Sequence, residues 1–131
     1  MITEDFVSFE TAKLLKEKGF DVPCLTCWYI GSEAHEKFND SPFNYNEIKS
    51  EFEWLSRPTL QMAMKWLREV HKIHIQIWIL EEKGYWFDIE KILNDQYKHK
   101  SLYSTGLEDI YFETYEQACE AAIKCCLENL I

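Results

Sequence analysis

The sequence predicts an α+β fold in the order α-β-β-α-β-β-α, an antiparallel sheet packed with three helices. Three observations carry this reading. Residues 58–72 place apolar side chains at the helical period, and residues 73–80, directly after them, switch to strict alternation. The strand candidates come in pairs joined by short turns, a connection that suits antiparallel neighbours. At 131 residues the chain has room for one domain, 1–131, and too little for two ordinary ones.

Ser8 to Lys18 reads as the first helix. Ser8 is a natural N-cap, Phe9, Ala12 and Leu15 share a face, and Gly19 suits a left-handed ending. Cys24 to Ile30, CLTCWYI, is aromatic, bounded by Pro23 and Gly31, and reads as a strand. Gly31 to Ser50 is the least regular stretch, with turn formers at Asn39-Asp40-Ser41-Pro42 and Asn44 to Asn46. Glu51 to Ser56 alternates Phe52 and Trp54 with acids, as a short strand returning beside the first would.

A helix follows from Pro58 to Lys72. Leu60, Met62, Ala63, Met64, Trp66, Leu67 and Val70 fall on one broad arc, with Gln61, Lys65, Arg68, Glu69 and Lys72 on the other. Pro58 suits its first turn. From Ile73 the isoleucines at 73, 75, 77 and 79 face one way and His74, Gln76, Trp78 and Leu80 the other. Glu81 to Gly84 makes a hairpin turn into a partner strand in which Tyr85, Phe87 and Ile89 alternate with Trp86, Asp88 and Glu90. Asn94 to Gly106 reads as a loop and Ile110 to Phe112 as a short strand. Thr114 and Gln117 form a capping box for the last helix, where Tyr115, Ala118, Cys119, Ala122, Cys125 and Cys126 share a face of mostly small residues.

Composition limits the function. A net charge of −9 argues against general affinity for nucleic acid or anionic membranes, both of which attract positive charge. The N-terminal MITEDFVSFETAKLL lacks the apolar core of a signal peptide, and no run approaches a membrane span. An odd number of cysteines, five, with no export signal predicts reduced thiols in a cytoplasm.

Four groups of residues are candidates for function. Lys65, Arg68 and Lys72 recur at helical spacing, and residues 57–72 carry a net of +3, which leaves −12 for the rest. That stripe is either a solvated helix face or a ridge for an acidic partner or a phosphate backbone. Trp66 lies on the apolar arc, away from the bases, where it cannot stack on nucleobases. Cys24-Leu25-Thr26-Cys27 has zinc-knuckle or redox spacing. Positions 24 and 27 of a strand face opposite ways, however, no second knuckle exists, and no helix follows. Buried thiols are the expected state, with no metal and no cofactor. The histidines at 35, 71, 74 and 99 are scattered. Neither a nucleophile elbow nor a phosphate-binding glycine loop occurs, so no catalytic residues and no enzyme activity are expected. The fourth group is aromatic. Trp28, Trp54, Trp78 and Trp86, with Tyr29 and Tyr85, lie on strands whose faces three helices cannot all cover. An uncovered face of this kind would mark a partner surface or a homodimer contact.

Three segments, SFETAKLLKEKGFD at 8–21, RPTLQMAMKWLREVHKI at 57–73 and FETYEQACEAAIKCCLENLI at 112–131, resemble a family of short uncharacterised proteins. Phages, prophages and mobile elements of gut anaerobic bacteria encode that family. The resemblance covers the three predicted helices and implies a phage or prophage accessory role in a bacterial cytoplasm. It brings no catalytic residues. A shared scaffold with variable strands and loops suits a protein-interaction module whose partner is a host or phage protein. The alternative is a nucleic-acid-associated protein that uses the basic face of helix 58–72.

Overall fold

A computed structural model describes residues 1–31, 34–93 and 97–131. Helices and antiparallel strands follow one another as the sequence predicts, and the chain divides into two compact units, Met1–Met62 and Ala63–Ile131.

The first unit contains helix α1, Phe9–Glu17, and strands β1, Cys24–Ile30, β2, Ala34–Phe43, and β3, Glu53–Ser56. Ser8 caps α1 by accepting the Thr11 N–H at 3.2 Å, and Gly19, at φ +87°, closes it. Helix α1 packs on β3, burying Ala12 and Leu15 on its side and Leu55 on the sheet's. The sheet order is β2-β1-β3, with β3 returning antiparallel beside β1 as the sequence predicts.

Strand β2 is the departure, since it occupies much of the stretch that reads as irregular. It is a sheet edge, where backbone pairing with β1 holds an exposed, polar strand and where Pro42 is tolerated. Alternation is weak in such a strand because neither face enters the core.

The 3-10 turn Tyr45–Glu47 is fixed to this sheet by Asn46. The Asn46 Oδ1 accepts the Ser56 N–H at 2.9 Å, and its amide donates to the Phe20 carbonyl at 2.9 Å. Ser56 is fully buried, and its hydroxyl accepts the Tyr45 N–H. Asn46→Ala leaves the Ser56 amide unpaired in the interior. We expect it to cost about 1–3 kcal/mol in urea denaturation. A change within error would show that the turn is not anchored through Asn46.

Helix α2, Leu60–Val70, begins in the first unit and continues into the second. It starts later than the sequence suggests. The Pro58 carbonyl accepts the Val7 N–H at 3.0 Å and Phe6 bridges Thr59, which holds Pro58 outside the helix. Thr59 supplies the cap, its hydroxyl accepting the Met62 N–H at 3.1 Å. Ala63, Met64, Trp66 and Leu67 are buried, but Met62 and Val70 are exposed, so the apolar arc is narrower than the pattern implies. Lys72, at φ +57°, turns the chain into the next strand.

The second unit contains strands β4, Ile73–Leu80, β5, Gly84–Ile92, and β6, His99–Ser104, in the order β4-β5-β6, all antiparallel. The predicted hairpin runs from Ile73 opposite Lys91 to Leu80 opposite Gly84. Ile73 and Ile75 are buried, whereas Ile79 is 70% exposed, so the isoleucine face outruns the core.

Strand β6 corrects the reading of residues 94–106 as a loop. Residues 94–96 lie outside the described residues, and HKSLYS pairs along β5. Its polar half is exposed and gives no alternation to read. The expected strand at 110–112 reduces to a single bridge between Phe112 and Tyr85.

Helix α3, Tyr115–Cys125, begins with the predicted capping box and lies against β5 and β4. Ala118, Cys119 and Ala122 are fully buried, which allows the close approach that small residues permit. A wider turn, Cys126–Leu130, ends the chain's regular structure.

Candidate interaction site

The tryptophans divide between the two sheets. In the first unit Trp28 pairs across β3 with Leu55, and Trp54 with Tyr29, so alternation puts Trp28 and Trp54 on opposite faces. Both are half-buried. Trp28 meets Phe9 edge-on at 6.0 Å. Trp54 lies between Tyr29 at 4.7 Å and Tyr45 at 6.3 Å, with the Lys37 ammonium 5.2 Å above its ring. These two rings are packing elements and do not join into one open patch.

Trp78 and Trp86 behave differently. They are directly opposed on β4 and β5, with ring centroids 5.9 Å apart and planes 21° from parallel. They share the sheet face opposite to buried Ile75, Phe87 and Ile89, and Trp78 is 47% exposed. The Trp78 indole N–H donates to the Asp88 carboxylate at 3.1 Å, which fixes the outer ring. Glu90 follows on the same face and meets His99 at 2.9 Å. Beyond the pair, Leu80 is exposed, and so are Glu81 and Glu82 in the hairpin turn. Strand β4 is also an edge of its sheet. The result is one solvent-facing ring, Trp78, backed by half-buried Trp86 and flanked by carboxylates on an edge strand. Sequence alternation does identify this face. It cannot tell which strand faces stay uncovered, and so it groups all four tryptophans.

Lys65 and Arg68 are exposed on α2, and Lys72 is exposed just beyond it, because the helix ends at Val70 and not at Lys72 as the sequence suggests. The Lys72 ammonium caps its own helix, donating to the Glu69 carbonyl at 3.1 Å. Trp66 points inward, 5% exposed and edge-on to His71 at 4.7 Å. The basic stripe therefore has no neighbouring ring on α2 on which a base could stack.

The cysteines are free thiols, and Cys24, Cys27, Cys119 and Cys126 are buried. Burial pushes the Cys24 thiol up to about 12, with Cys27 adding to the effect. Burial likewise pushes Cys126 to about 12 and Cys119 to about 11. Thiols in this state are poor nucleophiles and poor metal ligands near neutral pH. Among the described residues, no group of three or more His, Cys, Asp or Glu is placed to hold a metal ion.

These shifts make the fold sensitive to alkali. A thiol raised in the folded state ionises first in the unfolded chain, so its contribution is intact below the unfolded value near 9. That contribution is then lost as pH rises toward 11 to 12. We expect unfolding free energy to fall between pH 9 and 11, and the slope to be shallower in Cys126→Ala. Equal slopes in the two proteins would rule the thiol out as a cause.

Among the described residues, no helix is long and apolar enough to cross a membrane. Comparisons of the chain with protein families, curated proteins and solved structures yield no match.

Proposed function

We propose that this protein is a non-catalytic protein-interaction module of phage or prophage type, acting in the bacterial cytoplasm. We propose further that it docks a basic, extended segment of a partner protein on β4. Trp78, half exposed on an edge strand and stacked on half-buried Trp86, carries this reading. An edge strand offers backbone groups to an incoming strand, and side chains beside it give selectivity. Arg or Lys of the partner would lie over the indoles, with Asp88, Glu81 and Glu82 supplying opposite charge. A chain of net charge −9 favours such a basic partner over an acidic one. The phage or prophage origin rests on the resemblance of the three helical segments. The non-catalytic part rests on four of the five thiols, the readiest nucleophiles by type, being buried.

The nucleic-acid reading keeps one supporting observation, the exposed Lys65, Arg68 and Lys72 face. A salt-sensitive complex that is lost on changing all three to Glu would favour it.

The test is affinity capture from a bacterial lysate with wild type, Trp78→Lys and the triple Glu variant. We expect one reproducible partner, kept by the triple variant and reduced roughly tenfold or more by Trp78→Lys, in line with loss of an aromatic anchor. Light scattering on the pure protein identifies a second copy of the chain if that is the partner. No reproducible partner, or capture unaffected by Trp78→Lys, would sink the proposal.

A further inference from the structure

The first unit contains a feature that the docking face does not use. A pocket of about 470 Å³ opens beside Leu25 and is lined by Phe6, Phe38, Pro42, Arg57 and Met62, among others. Its origin is a bulge in the β1–β2 pairing. Cys24 pairs with Phe43 and Thr26 with Phe38, so four residues of β2 stand opposite Leu25 alone. That leaves residues 39–42 of β2 without register partners of their own on β1, beside the pocket. Phe38 is 66% exposed there, and Leu25 and Met62 are exposed as well. These are large apolar residues gathered at one opening.

Two charged side chains lie in this lining, Glu4 and Arg57. The Arg57 side chain is only 11% exposed and is held between two rings, 4.4 Å from Phe6 and 5.0 Å from Trp28. Its Nη2 lies 3.4 Å from Glu36, itself about half exposed. Its Nε and Nη1 are buried with no hydrogen-bond partner among the described residues. Buried donors on a cation are costly to leave unpaired, and guanidinium geometry matches a planar carboxylate two bonds at a time. Glu4, the acid in the lining, is exposed and so stays hydrated.

We propose that this pocket binds a small amphipathic monocarboxylate, its apolar body against Phe6, Leu25, Phe38 and Met62 and its carboxylate on Arg57. The size suits a ligand of roughly ten carbons. The carboxylate takes Nη2 over from half-exposed Glu36 and reaches one of the two unpaired donors beside it, Nε or Nη1, as the Arg57 side chain adjusts.

The probes are sodium decanoate and decan-1-ol, followed by calorimetry and by tryptophan fluorescence, since Trp28 adjoins the guanidinium. We expect decanoate to bind saturably, one per chain, below about 1 mM, and decanol roughly tenfold or more weakly. Arg57→Met should bring the two affinities together. Leu25→Glu alters an exposed wall residue and leaves the buried cation intact, so it tests the pocket even if Arg57→Met fails to fold. It should reduce decanoate affinity roughly tenfold or more. Equal affinity for acid and alcohol in wild type, absence of saturable binding, or an unchanged decanoate affinity in Leu25→Glu would each overturn the proposal.

Discussion

Phe87→Ala lowers the free energy of unfolding by about 3–5 kcal/mol, the usual cost of emptying a large aromatic site. Phe87 is 2% exposed on the central strand of its sheet. Its ring stacks on Phe112 at 5.8 Å and tilts against Tyr103 at 6.0 Å. Neighbouring strands are fixed by hydrogen bonds on both sides, and the Phe87 N–H itself donates to the buried Thr105 hydroxyl at 2.9 Å. The walls therefore cannot collapse far into the space left behind. Phe87→Leu, which keeps most of the volume, should cost roughly 1.5 kcal/mol or less. Urea denaturation of the two variants measures the difference. A loss below about 1 kcal/mol for the alanine variant would remove Phe87 from the core.

Gly84→Ala is the second large effect, and its cause lies in the backbone. Gly84 adopts φ +121°, and an added Cβ would stand 2.5 Å from the Phe112 carbonyl oxygen. No rotamer relieves a clash with backbone. The chain must give up the Tyr85–Phe112 bridge, whose two hydrogen bonds measure 2.9 and 2.7 Å. Lost hydrogen bonds and strain together suggest about 2–4 kcal/mol. Gly19→Ala is the control. It also has positive φ, at +87°, but an added Cβ meets nothing within 4 Å. It should cost only about 1 kcal/mol. Amide exchange at Tyr85 and Phe112 should quicken in Gly84→Ala and stay slow in Gly19→Ala. Equal stability of the two variants would show that contact with Phe112 is unimportant.

Much of the architecture is legible in the residues themselves. Ser8, Gly19, Thr114 and Gln117 mark helix ends through hydrogen bonds that local sequence can specify. The change of period at Ile73 marks where helix gives way to strand. What escapes is decided by tertiary pairing. Strands β2 and β6 are edges held through their backbones, and their polar side chains carry no alternation. The start of α2 shifts because Phe6 bridges Thr59, a contact between residues more than fifty positions apart. Trp28, Trp54, Trp78 and Trp86 look equivalent as letters. Only the placement of helices and turns buries three halfway and leaves Trp78 to solvent. The Arg57 pocket is hidden for a similar reason, since its walls come from several separated stretches of chain. In the sequence Arg57 reads only as one more base just before a basic helix face.

The edge position of β4 also bears on solubility. IHIQIWIL has no charge, no proline and no glycine, and is rich in β-branched residues, the composition that assembles into cross-β fibrils when it is freed. In the native chain β5 occupies one side of it, and Glu81, Glu82 and Lys83 act as gatekeepers at its end. Any change that loosens the hairpin thus releases an aggregation-prone segment. For this protein, loss of stability and loss of solubility are expected to occur together.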